Sequence, residues 1–259
     1  MNTMLKSSLK RSIELISGLS QLMLDICFPP HCPSCDEPVD AEGNMCAMCF
    51  SQLQHIAPPH CDCCGMPFAV HIADDNADDN TATFCAACLS QPRTYDSARA
   101  VWVYNHISSQ LITRLKFGDH ATSLPRYAKL MAQRTTPAMR MTDVIIPVPL
   151  HWRRLMLRRY NQSALLAYCL AKELQQPVLA NCLVRVRATI PQTRLKGPAR
   201  VQNVKNAFAV KSTDIAHKHI LLIDDVMTTG ATINACTKAL KSAGAASVHV
   251  LTLARTVRE

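Results

Sequence analysis

Two adjacent carboxylates, Asp224 and Asp225, run directly into Val226, Met227, Thr228, Thr229, Gly230, Ala231 and Thr232. Neighbouring carboxylates accept hydrogen bonds from the vicinal hydroxyls of a ribose. A turn rich in N–H groups and threonine hydroxyls, placed before a helix, suits a phosphate monoester. Gly230 lets the backbone approach such a ligand without a Cβ in the way. The pattern reads as a sugar-phosphate site. An ordinary strand, Thr-capped turn and helix is the weaker reading, because strand, acids, loop and helix all occur in the order the chemistry needs.

A second chemistry lies towards the N-terminus. Of thirteen cysteines, ten precede residue 89, and eight of these form four Cys-x-x-Cys pairs. Cys32/Cys35 with Cys46/Cys49 make one tetrathiolate set, and Cys61/Cys64 with Cys85/Cys88 a second, the spacing of two structural zinc sites. Gly65, directly after Cys64, suits a knuckle in which the chain turns back on the metal. Cys61-Asp62-Cys63-Cys64 offers three thiols for two positions, and His31 and His60 abut the clusters. Spacing favours Cys61 and Cys64, with Cys63 and His60 standing as alternatives. Disulfides and an iron–sulfur cluster fit less well, for want of a secretion signal and of a shared cluster motif. The acidic stretch 73–80 lacks the glycine turn and closing glutamate of a calcium loop and reads as a solvated insertion. Cys27, Cys169, Cys182 and Cys236 sit in apolar surroundings and read as small hydrophobes.

The elements that must position these groups alternate between strand and helix. Strands are predicted at 100–104, 143–146, 182–186, 207–210, 220–223 and 248–253, with helices at 107–117, 124–133, 161–174 and 233–242. This order predicts an α/β fold with a parallel sheet and the acids at the carboxyl end of its central strand. The stretch 6–26 reads as an amphipathic helix interrupted by Glu14, Ser17, Gln21 and Asp25, neither a transmembrane span nor a signal peptide. A cytoplasmic protein is expected, with that helix packing on its own domain in preference to a peripheral membrane contact.

Charge divides the chain. Residues 1–96 hold 4 Lys/Arg against 12 Asp/Glu, whereas 97–259 hold 24 against 7. The reversal places a domain boundary near 92–97, giving an N-terminal helix with a double zinc module over 1–96 and an α/β domain over 97–259. Residues 144–211 carry 12 Lys/Arg against the single acid Glu173. A diphosphate or the phosphates of nucleic acid would answer that density of cations. Only Trp152 and Tyr160 stand among the arginines, a thin stacking platform for single-stranded DNA.

The stretch 220–232 resembles the phosphoribosyl-diphosphate (PRPP) binding motif of type I phosphoribosyltransferases. Over nearly its whole length the chain resembles the ComF family. The resemblance rests on the cysteine pairs, the 220–232 motif, Leu115-Lys116-Phe117-Gly118-Asp119, Pro147-Val148-Pro149-Leu150, Arg158-Arg159-Tyr160-Asn161-Gln162, Thr189-Ile190-Pro191-Gln192, Arg200 with Asn203, and Ala207-Phe208. Where the family usually has glycine before the aromatic-Asn-Gln element this chain has Arg159, which puts a turn requiring positive φ in question.

The resemblance implies a type I phosphoribosyltransferase-like parallel sheet flanked by helices and preceded by zinc knuckles of four cysteines each. Asp224 and Asp225 would hold the ribose of PRPP and residues 226–232 its 5-phosphate. Pro149, Arg153, Arg158 and Lys116 would hold the diphosphate, with magnesium sharing its charge. A loop over 189–203, carrying Arg194 and Lys196, would close over the reacting centre. The same resemblance implies natural transformation, with incoming single-stranded DNA handled beside the uptake machinery at the cytoplasmic face of the membrane. A working transferase, joining a base or amine to ribose 5-phosphate, is the other function open to this fold.

Overall fold

The computed structural model describes residues 29–68, 82–117, 121–187, 204, 206–212 and 214–257. The expected N-terminal helix, Cys27, the acidic stretch 73–80, Gly118, Asp119, and the segment with Thr189, Arg194, Lys196, Arg200 and Asn203 lie outside them.

Four parallel strands build the main sheet: β1 (Ser97–Val103), β2 (Val144–Pro147), β5 (His219–Met227) and β6 (Ser247–Arg255), in the order β1-β6-β5-β2. Alternate residues of β5 feed two cores. Ile220 and Leu222 face a core shared with Ile233, Cys236 and Leu240 of the helix α8 (Ala231–Ser242). Leu221 and Ile223 face the other core. There they meet Leu111 and Leu115 of α3 (His106–Phe117), Tyr127 and Met131 of α4 (Leu124–Gln133), and Leu166 and Leu170 of α7 (Gln162–Leu174). A strand covered on both faces needs an unbroken apolar run, which Ile220–Ile223 supplies.

Three local expectations differ from the structure. The segments around 182–186 and 207–210 do not extend the parallel sheet. They form β3 (Leu183–Arg185) and β4 (Phe208–Val210), paired antiparallel as a separate two-stranded sheet. A reversing connection suffices for such a pair, whereas a parallel one needs a crossover. The arginine-rich stretch after β2 is a short helix, α6 (Trp152–Arg158), preceded by the one-turn α5 (Pro137–Arg140). No residue of α6 is buried, so no apolar periodicity announces it. Finally, β5 continues through both carboxylates to Met227, so the loop begins at Thr228.

Arg159 ends α6 at φ +65, in the left-handed region despite its Cβ. Such a conformation costs a non-glycine residue about 1–2 kcal/mol. Arg159→Gly is therefore expected to raise stability by up to about 1 kcal/mol after the entropy cost of glycine, read as an upward shift in denaturant midpoint.

The cysteine-rich region is two knuckles of the same design. His31 bridges Pro38 in the first and His60 bridges Pro67 in the second, so each histidine's backbone closes a hairpin. Short helices α1 (Ala47–Ser51) and α2 (Ala86–Ser90) follow the third Cys of each set. The second knuckle lies on the free edge of β1. Ala98 N donates to Cys63 O at 2.6 Å, and a Cβ on Gly65, which sits at φ +66, would come within 2.6 Å of Ala98 O. Cys61 and Cys64 are buried in the same core as β5 and α8. The two sides of the expected boundary thus share one hydrophobic interior.

Candidate functional site

Asp224 and Asp225 are 8% and 7% exposed at the end of β5. Burying two like charges side by side is costly, and three neighbours decide how they share it. Ser163 Oγ donates to Asp224 Oδ1 at 3.1 Å. Gln162 Nε2 donates to Asp225 Oδ2 at 3.3 Å, and the Lys116 ammonium lies 2.8 Å from the same oxygen. Burial, and then the adjacent charge of Asp225, push the Asp224 carboxyl up to about 8. Burial acts on Asp225 as well, but the Lys116 ammonium overrides it and holds that carboxyl below its ordinary range. Burial and the neighbouring charge thus favour the protonated form of Asp224, while the Lys116 ammonium favours the ionised form of Asp225.

Local sequence explains how the neighbours arrive. Asn161 caps α7, its side chain accepting from Ser163 N at 3.1 Å and donating to Val148 O at 3.0 Å. That cap ties the start of α7 to the end of β2 and points Gln162 and Ser163, the first two helical residues, at the carboxylates. Lys116 comes from the last turn of α3, which Tyr160 Oη anchors by donating to Leu115 O at 2.6 Å. Arg158 Nη1 donates to Gln162 Oε1 at 3.4 Å and so continues the chain of donors outward.

The loop after β5 has the expected form. Gly230 adopts φ +76 and α8 starts at Ala231. Thr229 Oγ1 accepts from Ala231 N at 3.4 Å, and Thr228 O accepts from Thr256 Oγ1 at 3.1 Å. A Cβ on Gly230 would meet Asn234 Nδ2 at 4.0 Å, ordinary contact distance, so its backbone angle and not crowding requires glycine there. Val226 N donates to Asp225 Oδ1 at 2.8 Å. Met227 is buried in the core, where its side chain packs.

The structure therefore brings together Asp224, Asp225, Lys116 and, through Gln162, Arg158. Pro149 lies just past β2, at the same end of the sheet. Arg153 sits in the first turn of α6, its guanidinium 5.2 Å over the Trp152 ring. Arg194 and Lys196 lie outside the described residues. Sequence reasoning missed Gln162 and Ser163 as site residues. The signal available was Asn161, a strong N-cap that fixes the direction of whatever follows.

At each knuckle four sulfurs converge: Cys32, Cys35, Cys46 and Cys49 in one, Cys61, Cys64, Cys85 and Cys88 in the other, all within 4.8 Å of one another. Among the described residues neither His60 nor Cys63 joins a set. A tetrahedral zinc with Zn–S of about 2.3 Å needs sulfurs about 3.8 Å apart. Cys35 Sγ lies 3.6 Å from Cys46 Sγ, and Cys64 Sγ lies 3.7 Å from Cys85 Sγ. Backbone N–H groups of Cys64 and Cys85 point at Cys61 Sγ at 3.5 and 3.3 Å, as bound thiolates require. The donor sets fit zinc. Each cluster has two buried cysteines, Cys32 and Cys49 in the first and Cys61 and Cys64 in the second, and the first also has an exposed one, Cys35.

Comparison with known proteins finds two family matches in the chain. Residues 23–89 match the double zinc ribbon domain and 161–258 the phosphoribosyl transferase domain. Competence protein F of Haemophilus influenzae is 32% identical over 222 residues, covering 83% of this chain and 92% of that protein. DNA utilization protein YhgH of Salmonella typhimurium is 32% identical over 235 residues, covering 88% of this chain and 98% of the relative. Competence protein ComFC of Bacillus subtilis is 29% identical over 222 residues, covering 83% and 85% respectively. Among the described residues no helix is long and apolar enough to cross a membrane.

Proposed function

The chain belongs to the ComF family of competence proteins, and from that premise we propose that it binds PRPP or a related phosphoribosyl ligand and acts in DNA uptake. The carrying observation is the buried Asp224–Asp225 pair, with its Lys116 counter-charge, opening onto the Thr228–Thr232 loop. The carboxylates accept the ribose 2- and 3-hydroxyls. N–H groups and hydroxyls of residues 228–232 take the 5-phosphate, aided by the positive end of α8. The diphosphate lies towards Lys116, Pro149, Arg153 and Arg158. Magnesium enters with PRPP and shares the diphosphate charge; the neighbouring carboxylates and the open end of the sheet suit an oxygen-bound cation. The two tetrathiolate sets hold structural zinc, which fixes both knuckles.

The names of the relatives, DNA utilization protein and competence protein, support a role with incoming DNA. The basic stretch 144–211, facing single-stranded DNA in the cytoplasm beside the uptake machinery, is the surface proposed for it. The domain division at 96/97 remains part of this proposal, with the acidic zinc module on one side and the cationic ligand-binding domain on the other.

A second reading, an active transferase, is favoured by the Lys116 ammonium, 2.8 Å from Asp225 and placed where charge on a departing diphosphate would develop. In transfer, the bond from C1 to diphosphate breaks, the electron pair leaves on diphosphate, and a base or amine nitrogen forms the new bond to C1. Lys116, Arg153 and Arg158 would stabilise the departing charge, and Arg194 and Lys196 are proposed to assist them. Asp224 and Asp225 would orient the ribose and stabilise positive charge growing at C1. The deciding experiment is diphosphate release from PRPP with magnesium, screened over purine, pyrimidine and amine acceptors, with a parallel series containing single-stranded DNA. Acceptor-dependent turnover establishes the enzyme. Tight binding without turnover, shifted by DNA, supports the ligand-gated DNA-handling role, and absence of PRPP binding removes both.

The raised Asp224 carboxyl adds a pH dependence. An ionised carboxylate accepts two hydroxyl hydrogen bonds better than a protonated one. PRPP affinity is therefore expected to climb between about pH 7 and pH 9, as Asp224 loses its proton. Calorimetry over that range measures the slope, which Asp224→Asn should remove; an unchanged slope in that variant would assign the titration elsewhere.

A further inference from the structure

A cavity of about 1110 Å³ runs along the outer side of α8, between that helix, the 87–94 segment of the second knuckle and the start of β4. Thr228, Thr229 and Ala231, part of the loop assigned to the 5-phosphate, form one wall of it, whereas Asp224 and Asp225 do not line it. Three features give it a definite chemistry. Its lining contains three cations, Arg93, Lys238 and Arg255, and no Asp or Glu among the described residues. Arg93 comes from the half of the chain that is otherwise acidic. Arg255 is 5% exposed; its Nη1 donates to Cys64 O, while its Nε, like Arg93 Nε, is buried with no hydrogen-bond partner.

The third feature is shape. Ala231, Ala235 and Ala239 recur every fourth residue along the lined side of α8, leaving a smooth wall where longer side chains would fill the space. Phe208 and Met66 also line the cleft. The Arg185 guanidinium lies over the Phe208 ring, 5.2 Å from its centroid, and holds the ring in place. The alanines and Phe208 give the cleft an apolar side, and Arg93, Lys238 and Arg255 give it cations. We propose that this cleft is a second binding site, for a nucleotide, separate from the carboxylate site and built jointly by the second knuckle and the α/β domain.

Such a site couples the knuckle to the loop after β5, because Thr94 Oγ1 donates to Asn234 O at 3.1 Å while Asn234 N donates to Gly230 O at 2.8 Å. The test uses the full-length zinc-loaded protein and a fluorescent mant-ADP probe. Saturable binding is expected, displaced both by AMP and by a 5-phosphorylated dinucleotide. The tighter competitor identifies whether free nucleotide or a strand end is the natural source. Ala235→Trp, which fills the cleft, and Lys238→Glu, an exposed charge reversal that leaves packing intact, should each weaken the probe at least tenfold. The Asp224→Asn/Asp225→Asn double variant should leave probe binding unchanged, so failure of the PRPP reading and failure of this one are separable. No saturable binding overturns the proposal. So does binding lost in the double Asp variant but untouched by Ala235→Trp and Lys238→Glu, which would put the nucleotide at the carboxylates.

Discussion

Asp224→Asn with Asp225→Asn is expected to reduce PRPP affinity by two to four orders of magnitude while the protein stays folded. Each charged acceptor lost from a ribose hydroxyl is worth about 1.5–3 kcal/mol, so above the Asp224 titration, where both carboxylates are ionised, the pair is worth about 3–6 kcal/mol of binding. The single variants should differ in stability, because the carboxylates carry different burdens. Asp224 keeps a proton in the folded state at a pH where the unfolded chain has released it. Its contribution to stability therefore falls as pH rises from about 4 towards 8. Asn keeps the shape and removes the charge, so Asp224→Asn should be neutral or stabilising at pH 8. Asp225 behaves oppositely, since its charge pairs with Lys116 at 2.8 Å and accepts from Val226 N and Gln162. Asp225→Asn should cost about 1–3 kcal/mol, tempered by Lys116 being partly exposed and able to reach water. Calorimetry with PRPP and thermal melts at pH 6 and 8 measure both effects. Unchanged affinity in the double variant would remove the ribose assignment; equal melting shifts for the two single variants would remove the unequal protonation.

Why the carboxylates were legible and their neighbours were not follows from how information is written in the chain. Ile220–Ile223, Asp224, Asp225 and the Thr-Gly loop are contiguous, so their order alone states strand, acceptors and turn. The Cys-x-x-Cys pairs are likewise local, and the structure gathers the same eight sulfurs that spacing grouped. Gln162 and Ser163 reach the acids from a helix 61 to 63 residues away in sequence, across a sheet whose strand order no local pattern dictates, and Lys116, named by resemblance for the diphosphate, pairs with Asp225 from 109 residues away. Helix α6 escaped for a different reason: Trp152, Met156 and Leu157 are exposed, so its apolar residues trace no buried face. Arg159 shows the opposite case, in which the backbone kept the left-handed turn although the side chain argues against it.

The larger effect hidden from sequence is the joint between the zinc module and the sheet, and it changes what metal removal should do. Chelation would unfold only residues 1–96 if the knuckles were a separate bead. Within the first knuckle the ties to the helices are side-chain ones, Ser34 Oγ donating to Gln110 Oε1 at 2.9 Å, Arg114 pairing with Asp36 and Arg126 Nη1 donating to Gly43 O at 3.2 Å, while the segment that leaves it is bonded to β1 through Ile56 N to Val101 O and Val103 N to Gln54 O. The second is held by backbone and core. Ala98 N donates to Cys63 O, Arg255 donates to Cys64 O, and Cys61 and Cys64 pack in the interior with Ile220 and Val248. Disrupting it with Cys61→Ser/Cys64→Ser should therefore melt the β1–β6 edge along with the knuckle, lowering the midpoint of the whole protein. Cys35→Ser/Cys46→Ser should loosen only the first knuckle. Gly65→Ala isolates the joint without touching a ligand. It forces a Cβ towards Ala98 O at 2.6 Å and leaves a non-glycine residue at φ +66. The angle alone costs about 1–2 kcal/mol, and the backbone clash adds to it because neither chain has a flexible end to move. Amide exchange over 97–103 and 247–255 reads the outcome directly. Faster exchange there in Gly65→Ala and in the second-knuckle variant, but not in the first, is expected. Protection unchanged along both strands after loss of the second cluster would mean that the sheet stands without it.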